Sequence, residues 1–202
     1  MFQKIQKNNL TISILAGGKS RRMKERDKGL MKLNNKFVIS KIILIARKFT
    51  NNINIIANKN LDSYVKFNVP VFTDILEDYQ GPLSGIYTAI AKSDKKYLIV
   101  LPCDGPFIKA KFFEDMINFS TDQSILTIKT GDRLQPVYAR FNCELKNNLE
   151  KFLKTNERKI DKWYNKCGFD VISYKKDDDM FINFNSPEDI DKNKNLINQY
   201  YG

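Results

Sequence analysis

The strongest constraint on the fold is an alternation of short apolar runs with segments of helical spacing along residues 11–119. Apolar residues at intervals of three and four predict helices between the runs. Strands that alternate with helices in this way form a mainly parallel sheet covered on both faces. The sequence therefore predicts a three-layer α/β/α sandwich with a mainly parallel, Rossmann-like sheet. The apolar runs, rich in β-branched residues, are predicted as strands at residues 11–16, 53–57, 70–73 and 97–103.

The C-terminal part of the chain gives shorter signals for the same layered fold. Residues 125–130 and 136–141 are predicted as a pair of strands, and helical spacing returns at residues 144–153. Residues 181–184 are predicted as a last short strand. No linker, internal repeat or low-complexity segment divides the sequence, so we expect a single domain over residues 1–202.

The amino-acid composition excludes several kinds of catalysis. The chain contains no histidine, which excludes a histidine general base, a Ser–His or Cys–His nucleophile pair and any histidine-containing zinc site. Cys103, Cys143 and Cys167 are odd in number and far apart, so they form neither a C-x-x-C motif nor a disulfide framework. We therefore expect carboxylates, lysines, arginines, backbone amides and a hard metal ion to carry the chemistry.

The basic charge of the chain has two interpretations: an anionic partner, or a lysine- and asparagine-rich composition spread over solvated faces. The formal net charge is +11, but lysines alternate with carboxylates through much of the sequence. We expect most of this charge to lie on solvated faces rather than to bind nucleic acid or a membrane, with a local exception in the N-terminal loop. A basic module that binds RNA or DNA remains an alternative. No apolar run approaches the roughly 20 residues that cross a bilayer. No signal-peptide pattern precedes the first strand, so a cytoplasmic location is expected.

A glycine-rich and basic loop follows the first predicted strand. Gly17 and Gly18 allow close approach of the backbone and direct N–H groups toward an anion. The glycines alone fit a tight turn equally well, but the basic residues after them favour binding of a triphosphate. These basic residues are Lys19, Arg21, Arg22 and Lys28.

Acidic residues follow two other predicted strands. Asp104 comes directly after residues 97–103, and Asp74 comes directly after residues 70–73. Ligands of open α/β sheets bind beyond the carboxyl ends of the strands, where a carboxylate and substrate phosphates together bind Mg²⁺. Asp104 also fits the N-cap of the following helix. The segment around Gly81 fits either a base pocket built from main chain or a turn into a helix, and these residues alone leave both alternatives open.

Four segments together resemble the molybdenum cofactor guanylyltransferases, the MobA family. The first, LAGGKSRRMKERDKGLMKL, is similar to the pattern L-A-G-G-x-[SA]-x-R-[ML]-G-x-x-K of a larger nucleotidyltransferase group. The segments DILEDYQGPLSGI, VLPCDGPFI and FINFNSPEDI are similar to family segments in the same order. The resemblance covers nearly the whole chain. It departs at Lys24-Glu25, where the family usually has a glycine after the Arg-Met pair.

The resemblance implies transfer of GMP from GTP to molybdopterin-bound molybdenum cofactor, with release of pyrophosphate. It implies catalytic roles for Lys28 and Asp104, with Mg²⁺ on Asp104. It also implies acceptor contacts from Arg158, Asn183 and Asn185. Other cofactor-biosynthesis proteins and recipient molybdoenzymes are further expected partners. The nucleotide-binding residues implied in the same way are Leu15, Ala16, Gly17, Lys28, Asn58, Asp74 and Asp104. The loop and turn described above add Gly18, Lys19, Arg22 and Gly81 to the predicted nucleotide site.

A nucleotidyltransferase for another base or acceptor is the nearest alternative, such as a cytidylyltransferase or a sugar-phosphate enzyme. The segments around Gly81 and Asn183 favour the guanylyl interpretation, although base choice depends on few contacts. The nucleophile in this interpretation is a phosphate oxygen of the acceptor, which is already ionised near neutral pH. The reaction then needs no strong general base, in agreement with the absence of histidine.

Overall fold

The computed structural model describes residues 5–16, 27–76, 81–184 and 187–202, and its main feature is a seven-stranded sheet. The described strands are β1 (Leu10–Leu15), β2 (Lys32–Leu33), β3 (Lys36–Phe37), β4 (Ile53–Ile56), β5 (Val71–Phe72), β6 (Tyr97–Pro102), β7 (Ile125–Thr130), β8 (Arg133–Asn142) and β9 (Asp170–Tyr174). The described helices are α1 (Val38–Ala46), α2 (Leu61–Val65), α3 (Pro82–Lys92), α4 (Ala110–Asn118), α5 (Lys146–Lys154), α6 (Ile160–Cys167), α7 (Pro187–Lys192) and α8 (Lys194–Tyr201).

The strand order in the large sheet is β5-β4-β1-β6-β8-β7-β9. β1 lies between β4 and β6 and is parallel to both, and β4 and β5 are also parallel. β8 runs antiparallel to its neighbours β6 and β7, and β9 is parallel to β7. The predicted mainly parallel sheet is confirmed. β2 and β3 form a separate two-stranded hairpin whose turn residues, Asn34 and Asn35, have positive φ angles of 46° and 62°.

Helices cover both faces of the sheet. Side chains alternate along each central strand, so both faces carry apolar residues that the helices bury. In β6, Ile99 and Leu101 belong to one apolar cluster, whereas Leu98 and Val100 belong to the other. Side chains from α1, α4 and α8 fill the first cluster, and side chains from α3, α5 and α6 fill the second. The chain therefore has the predicted three layers, and the parallel strands at the centre are buried on both faces.

The predicted strand at residues 181–184 is wrong. Asp179–Phe181 form a 3-10 turn, and the next three residues have no regular structure. Phe181 and Phe184 both pack into the same apolar cluster. A strand would direct these two side chains to opposite faces, because they are an odd number of residues apart. The irregular backbone allows both phenylalanine side chains to be buried in the same cluster.

The structure also contains elements that the apolar pattern did not predict. α6 and β9 lie between the predicted helix at residues 144–153 and the wrongly predicted last strand. β9 lies at the edge of the sheet beside β7, and none of its residues is fully buried.

In the described ranges no helix combines the length and apolar character needed to cross a membrane.

Candidate active site

The carboxyl ends of the parallel strands β1, β4, β5 and β6 lie side by side at one end of the sheet. We call this row of strand ends the strand edge. The backbone N–H of Ala16, after β1, donates to Ile56 O at 2.8 Å, and that of Ala57, after β4, donates to Phe72 O at 2.9 Å. On the other side of β1, the N–H of Cys103 donates to Leu15 O at 3.0 Å. The ladder thus aligns the residues that follow β1, β4, β5 and β6, and Asp74 and Asp104 lie at the same edge.

Lys28 and Asp104 form the central ion pair of this edge. The Lys28 ammonium donates to Asp104 Oδ2 at 3.1 Å across 76 residues of sequence. Both side chains are mostly buried, with exposed fractions of 19% and 20%. The helix-cap alternative for Asp104 is wrong, because α4 begins at Ala110 and Lys109 occupies its N-cap position. The Asp104 carboxylate therefore has no helix-capping role and is a candidate for contact with a ligand.

A second carboxylate, Asp74, lies at the same edge after β5, and β4 and β1 lie between β5 and the strand that precedes Asp104. Asn58 Nδ2 donates to Asp74 Oδ2 at 2.8 Å, and the Asp74 N–H donates back to Asn58 Oδ1 at 2.8 Å. Asp74 Oδ1 is buried and has no hydrogen-bond partner in the described part of the chain. The amide–carboxylate pair fixes the side chain but leaves one acceptor atom incomplete, which a donor group of a ligand can satisfy.

The start of α3 closes this part of the edge. Gly81 precedes the helix with φ 80° and ψ −170°, a conformation that favours glycine, and Pro82 begins the helix. A side chain at Gly85, in the first turns of α3, would contact Leu15 and lie near Asp74 Oδ1. The Ser84 hydroxyl is also buried without a partner in the described ranges. The region of Gly81 thus turns the chain into a helix and also lines the strand edge, so both alternatives for this segment fit.

Asn183 reaches the Asp104 side of the edge through the fold. The Tyr138 hydroxyl donates to Asn183 Oδ1 at 3.2 Å, and the N–H of the next residue, Phe184, donates to Asp104 O at 3.1 Å. Gly105 packs against the Tyr138 hydroxyl and lies near Asn183 Oδ1, so a side chain at residue 105 would not fit. Burial raises the pKa of Tyr138 well above its usual value, and the charge of Asp104 raises it further. Tyr138 is therefore a permanent hydrogen-bond donor.

Arg158 lies in the turn between α5 and α6, where its contacts are structural. Its Nη1 donates to Leu153 O at 2.7 Å and to Glu157 O at 2.9 Å, so the guanidinium binds one carbonyl at the end of α5 and one in the turn that follows. Its acceptor role stays a prediction. The predicted site residues Gly17, Gly18, Lys19, Arg22 and Asn185, and the basic residue Arg21, lie outside the described residues.

The donor set around Asp104 fits a hard cation bound together with substrate phosphates. Lys28 binds Oδ2, and Oδ1 makes no hydrogen bond to a described residue. The described residues contain no group of three or more acidic or cysteine side chains that could hold a metal ion by themselves. A single carboxylate completed by water and phosphate oxygens is the usual arrangement for Mg²⁺ in phosphoryl-transfer sites.

Comparison with known proteins assigns the chain to a family. The model of the MobA-like NTP transferase domain matches residues 12–168. This chain is a MobA-like NTP transferase. The molybdenum cofactor guanylyltransferase of Shewanella pealeana is 37% identical over 177 residues, covering 87% of this chain and 88% of the relative. The enzyme of the same name from Haemophilus influenzae is 35% identical over 187 residues, covering 91% and 97%.

A solved structure shows the same fold at lower sequence identity. The molybdopterin-guanine dinucleotide biosynthesis protein A of Archaeoglobus fulgidus superposes with a TM-score of 0.76 at 19% identity, covering 94% of this chain and 99% of that one. The match to the family model and the relatives of 35–37% identity confirm, at the level of the family, the resemblance stated from the motifs. In this MobA-like domain the matched region contains Lys28, Asp74 and Asp104, whereas Asn183 lies beyond it.

The sequence did not single out several residues of this MobA-like site. Asp27 accepts hydrogen bonds from Asn60 and Tyr64, and Tyr138 holds Asn183. The Tyr64–Asp27 contact spans 37 residues, so no local motif connects its partners. One local signal was available for Asp27, because an aspartate two residues before a glycine is typical of a side chain that caps a turn.

Charge at the site also acts on the buried thiol beside it. Burial raises the pKa of Cys103 well above its usual value, and the nearby charges of Asp104 and Asp27 raise it further, while Lys28 opposes them. Cys103 therefore stays a neutral thiol and is a packing residue.

Proposed function

We propose that this chain transfers GMP from GTP to a molybdopterin-type cofactor and releases pyrophosphate, acting as one domain over residues 1–202. The observation that carries the proposal is the Lys28–Asp104 pair at the strand edge, with Asn183 beside it. These residues occupy the positions at which the sequence resembles the guanylyltransferases. The relatives that are 35–37% identical carry the name of that activity.

The proposed nucleotide site runs along the ends of β1, β4, β5 and β6. Asp74, held by Asn58, offers the incomplete acceptor Oδ1 to a donor group of the nucleoside. Lys28 lies at the triphosphate, where its charge stabilises the departing pyrophosphate. The remaining proposed nucleotide contacts are Leu15, Ala16, Gly17, Gly18, Lys19, Arg22, Gly81 and Asp104.

Asp104 is the residue that we propose holds Mg²⁺. The bound cation supplies charge neutralisation and orientation at the triphosphate oxygens. Lys28 lies 3.1 Å from Asp104 Oδ2, so its ammonium neutralises the carboxylate when no cation is present and is available to phosphate when one binds. The mostly buried Asp104 carboxylate is then paired with a positive charge in both states: with Lys28 before the cation binds, and with the cation afterwards.

The acceptor is proposed to bind on the Asn183 side of Asp104. Tyr138 donates to Asn183 Oδ1 and so fixes the Asn183 side chain, which we propose contacts a phosphate of the acceptor. Asn185 and Arg158 are proposed to extend this acceptor side. The attacking phosphate oxygen is ionised near neutral pH, so the described residues need to orient the acceptor but not to remove a proton from it.

Thermal shift with each nucleoside triphosphate in the presence of Mg²⁺ tests the proposed substrate. A ligand that binds only the folded state at one hundred times its Kd stabilises it by about 2.7 kcal/mol, which raises Tm by about 5–10 °C in a domain of this size. We expect this shift with GTP and a smaller one with CTP, ATP and UTP at equal concentration.

Two outcomes would contradict the guanylyl proposal. A larger shift with CTP would assign the site to a cytidylyltransferase. No shift with any nucleotide, together with nucleic-acid binding that weakens steeply with salt, would favour the basic binding module instead.

A further inference from the structure

Asp27 lies directly before Lys28 and holds the short turn that carries it. Its Oδ1 accepts a hydrogen bond from the N–H of Gly29 at 3.1 Å and thereby caps the 3-10 turn Lys28–Leu30. The same oxygen accepts from the Tyr64 hydroxyl, and Oδ2 accepts from Asn60 Nδ2 at 3.0 Å. Three donors from two separate segments therefore fix one carboxylate.

Tyr64 supports this turn by packing as well as by hydrogen bonding. The side chain is fully buried, and Gly29 lies so close to its ring that a Cβ at residue 29 would run into the hydroxyl. Burial raises the pKa of Tyr64 far above its usual value, and the hydrogen bond to Asp27 and the charge of that carboxylate raise it further. The hydroxyl consequently keeps its proton near neutral pH and donates it to Asp27.

Asn60 contributes the second support from an exposed position. It has a left-handed backbone conformation with φ 54° and precedes α2. Two residues earlier, Asn58 binds Asp74. The segment between β4 and α2 thus contacts two carboxylates near the site: it binds Asp74 through Asn58 and Asp27 through Asn60. Neither contact is needed to cap α2, because Asn60 makes no side-chain cap bond to that helix.

We propose that Asp27 is the positioning residue for Lys28, and that Tyr64 and Asn60 act on the reaction through it. A lysine carries its charge at the end of a flexible four-carbon stem, so the place of the ammonium depends on a fixed backbone. Asp27 fixes that backbone, and the ammonium then reaches Asp104 at 3.1 Å. A misplacement of about 1 Å in such a group lowers rate by about 100-fold. The proposal rests on the proposed function of Lys28.

A double-mutant cycle separates positioning from stability. Tyr64→Phe keeps the ring that packs on Gly29 and removes the donor, and Asn60→Gly keeps the left-handed conformation and removes the amide. We expect each change to lower kcat/KM for GTP by about tenfold, and to change it by less than about twofold when Lys28 is already glutamine.

Matched controls exist for both variants. Tyr164→Phe removes another fully buried hydroxyl, which donates to Pro136 O at 2.6 Å in the other apolar cluster. Asn68→Gly replaces another exposed asparagine with φ 54°. Both controls should lower Tm about as much as their counterparts and leave kcat/KM unchanged.

A readout that needs no transfer activity completes the test. Trace acylation of lysine amines, measured residue by residue by mass spectrometry, should show at least a threefold rise (about 0.7 kcal/mol) in Lys28 reactivity in Tyr64→Phe and Asn60→Gly, with Lys111 unchanged. If wild type transfers no nucleotide but Lys28 reactivity still rises, the positioning role stands and the proposed function is wrong. Unchanged Lys28 reactivity, or equal losses of kcat/KM with and without Lys28, would overturn the positioning role.

Discussion

Replacing Asp104 by asparagine is expected to lower guanylyl transfer by about 10²- to 10³-fold, while the variant remains folded. Asparagine keeps the size of the side chain and removes the charge that a hard cation requires. The change does not remove a helix cap, because α4 begins six residues further along the chain at Ala110. The rate and Tm should be measured across a Mg²⁺ titration.

Asp115→Asn is the matched control for this prediction. Asp115 is a similarly exposed aspartate on α4, at 24%, and it pairs with Lys111 at 2.9 Å outside the strand edge. We expect normal transfer from this variant. An Asp104→Asn protein with near-normal turnover would contradict the proposed metal site.

Replacing Lys28 by glutamine should reduce both GTP affinity and turnover, with a combined loss of about 10²-fold in kcat/KM. Glutamine retains hydrogen-bonding capacity but not the charge that stabilises the triphosphate and the departing pyrophosphate. The Mg²⁺ concentration for half-maximal activity should not rise, because Asp104 loses its competing ammonium. Steady-state kinetics with GTP and Mg²⁺ varied in turn measure both effects.

Lys111→Gln provides the matched control, since Lys111 also pairs with an aspartate but lies on the surface of α4. It should have wild-type kinetics. A Lys28→Gln protein that binds and turns over GTP normally would remove Lys28 from the site.

Apolar periodicity predicted the part of the fold that places the site. The runs that became β1, β4 and β6 are short, continuous and buried on both faces, which is the pattern of central parallel strands. The run that became β5 is half-buried and lies beside β4 at the side of the sheet. Their ends give the positions of Asp74 and Asp104 directly, because parallel strands share one carboxyl edge. The structure then resolved the alternative that sequence left open for Asp104, since only the observed start of α4 excludes a cap.

The rest of the fold depends on contacts that local pattern does not carry. β9 is a half-buried edge strand, so its side chains give no clear alternation. Phe181 and Phe184 suggested a strand because they are apolar and close together, whereas tertiary packing buries both in one cluster from an irregular segment. Asn183 was assigned to the acceptor through family resemblance. The hydrogen bonds of Tyr138 and Phe184 place it near Asp104, and its acceptor role stays a prediction.

The most direct measurement of the central claim follows the reaction itself. Purified protein, Mg²⁺ and a molybdopterin-type cofactor are incubated with each of the four nucleoside triphosphates labelled at the α-phosphate, and the labelled dinucleotide product and pyrophosphate are quantified. We predict equal amounts of product and pyrophosphate with GTP, formed at least about tenfold faster than with CTP, ATP or UTP. Faster transfer with CTP, or no transfer to the cofactor from any nucleotide, would contradict the account.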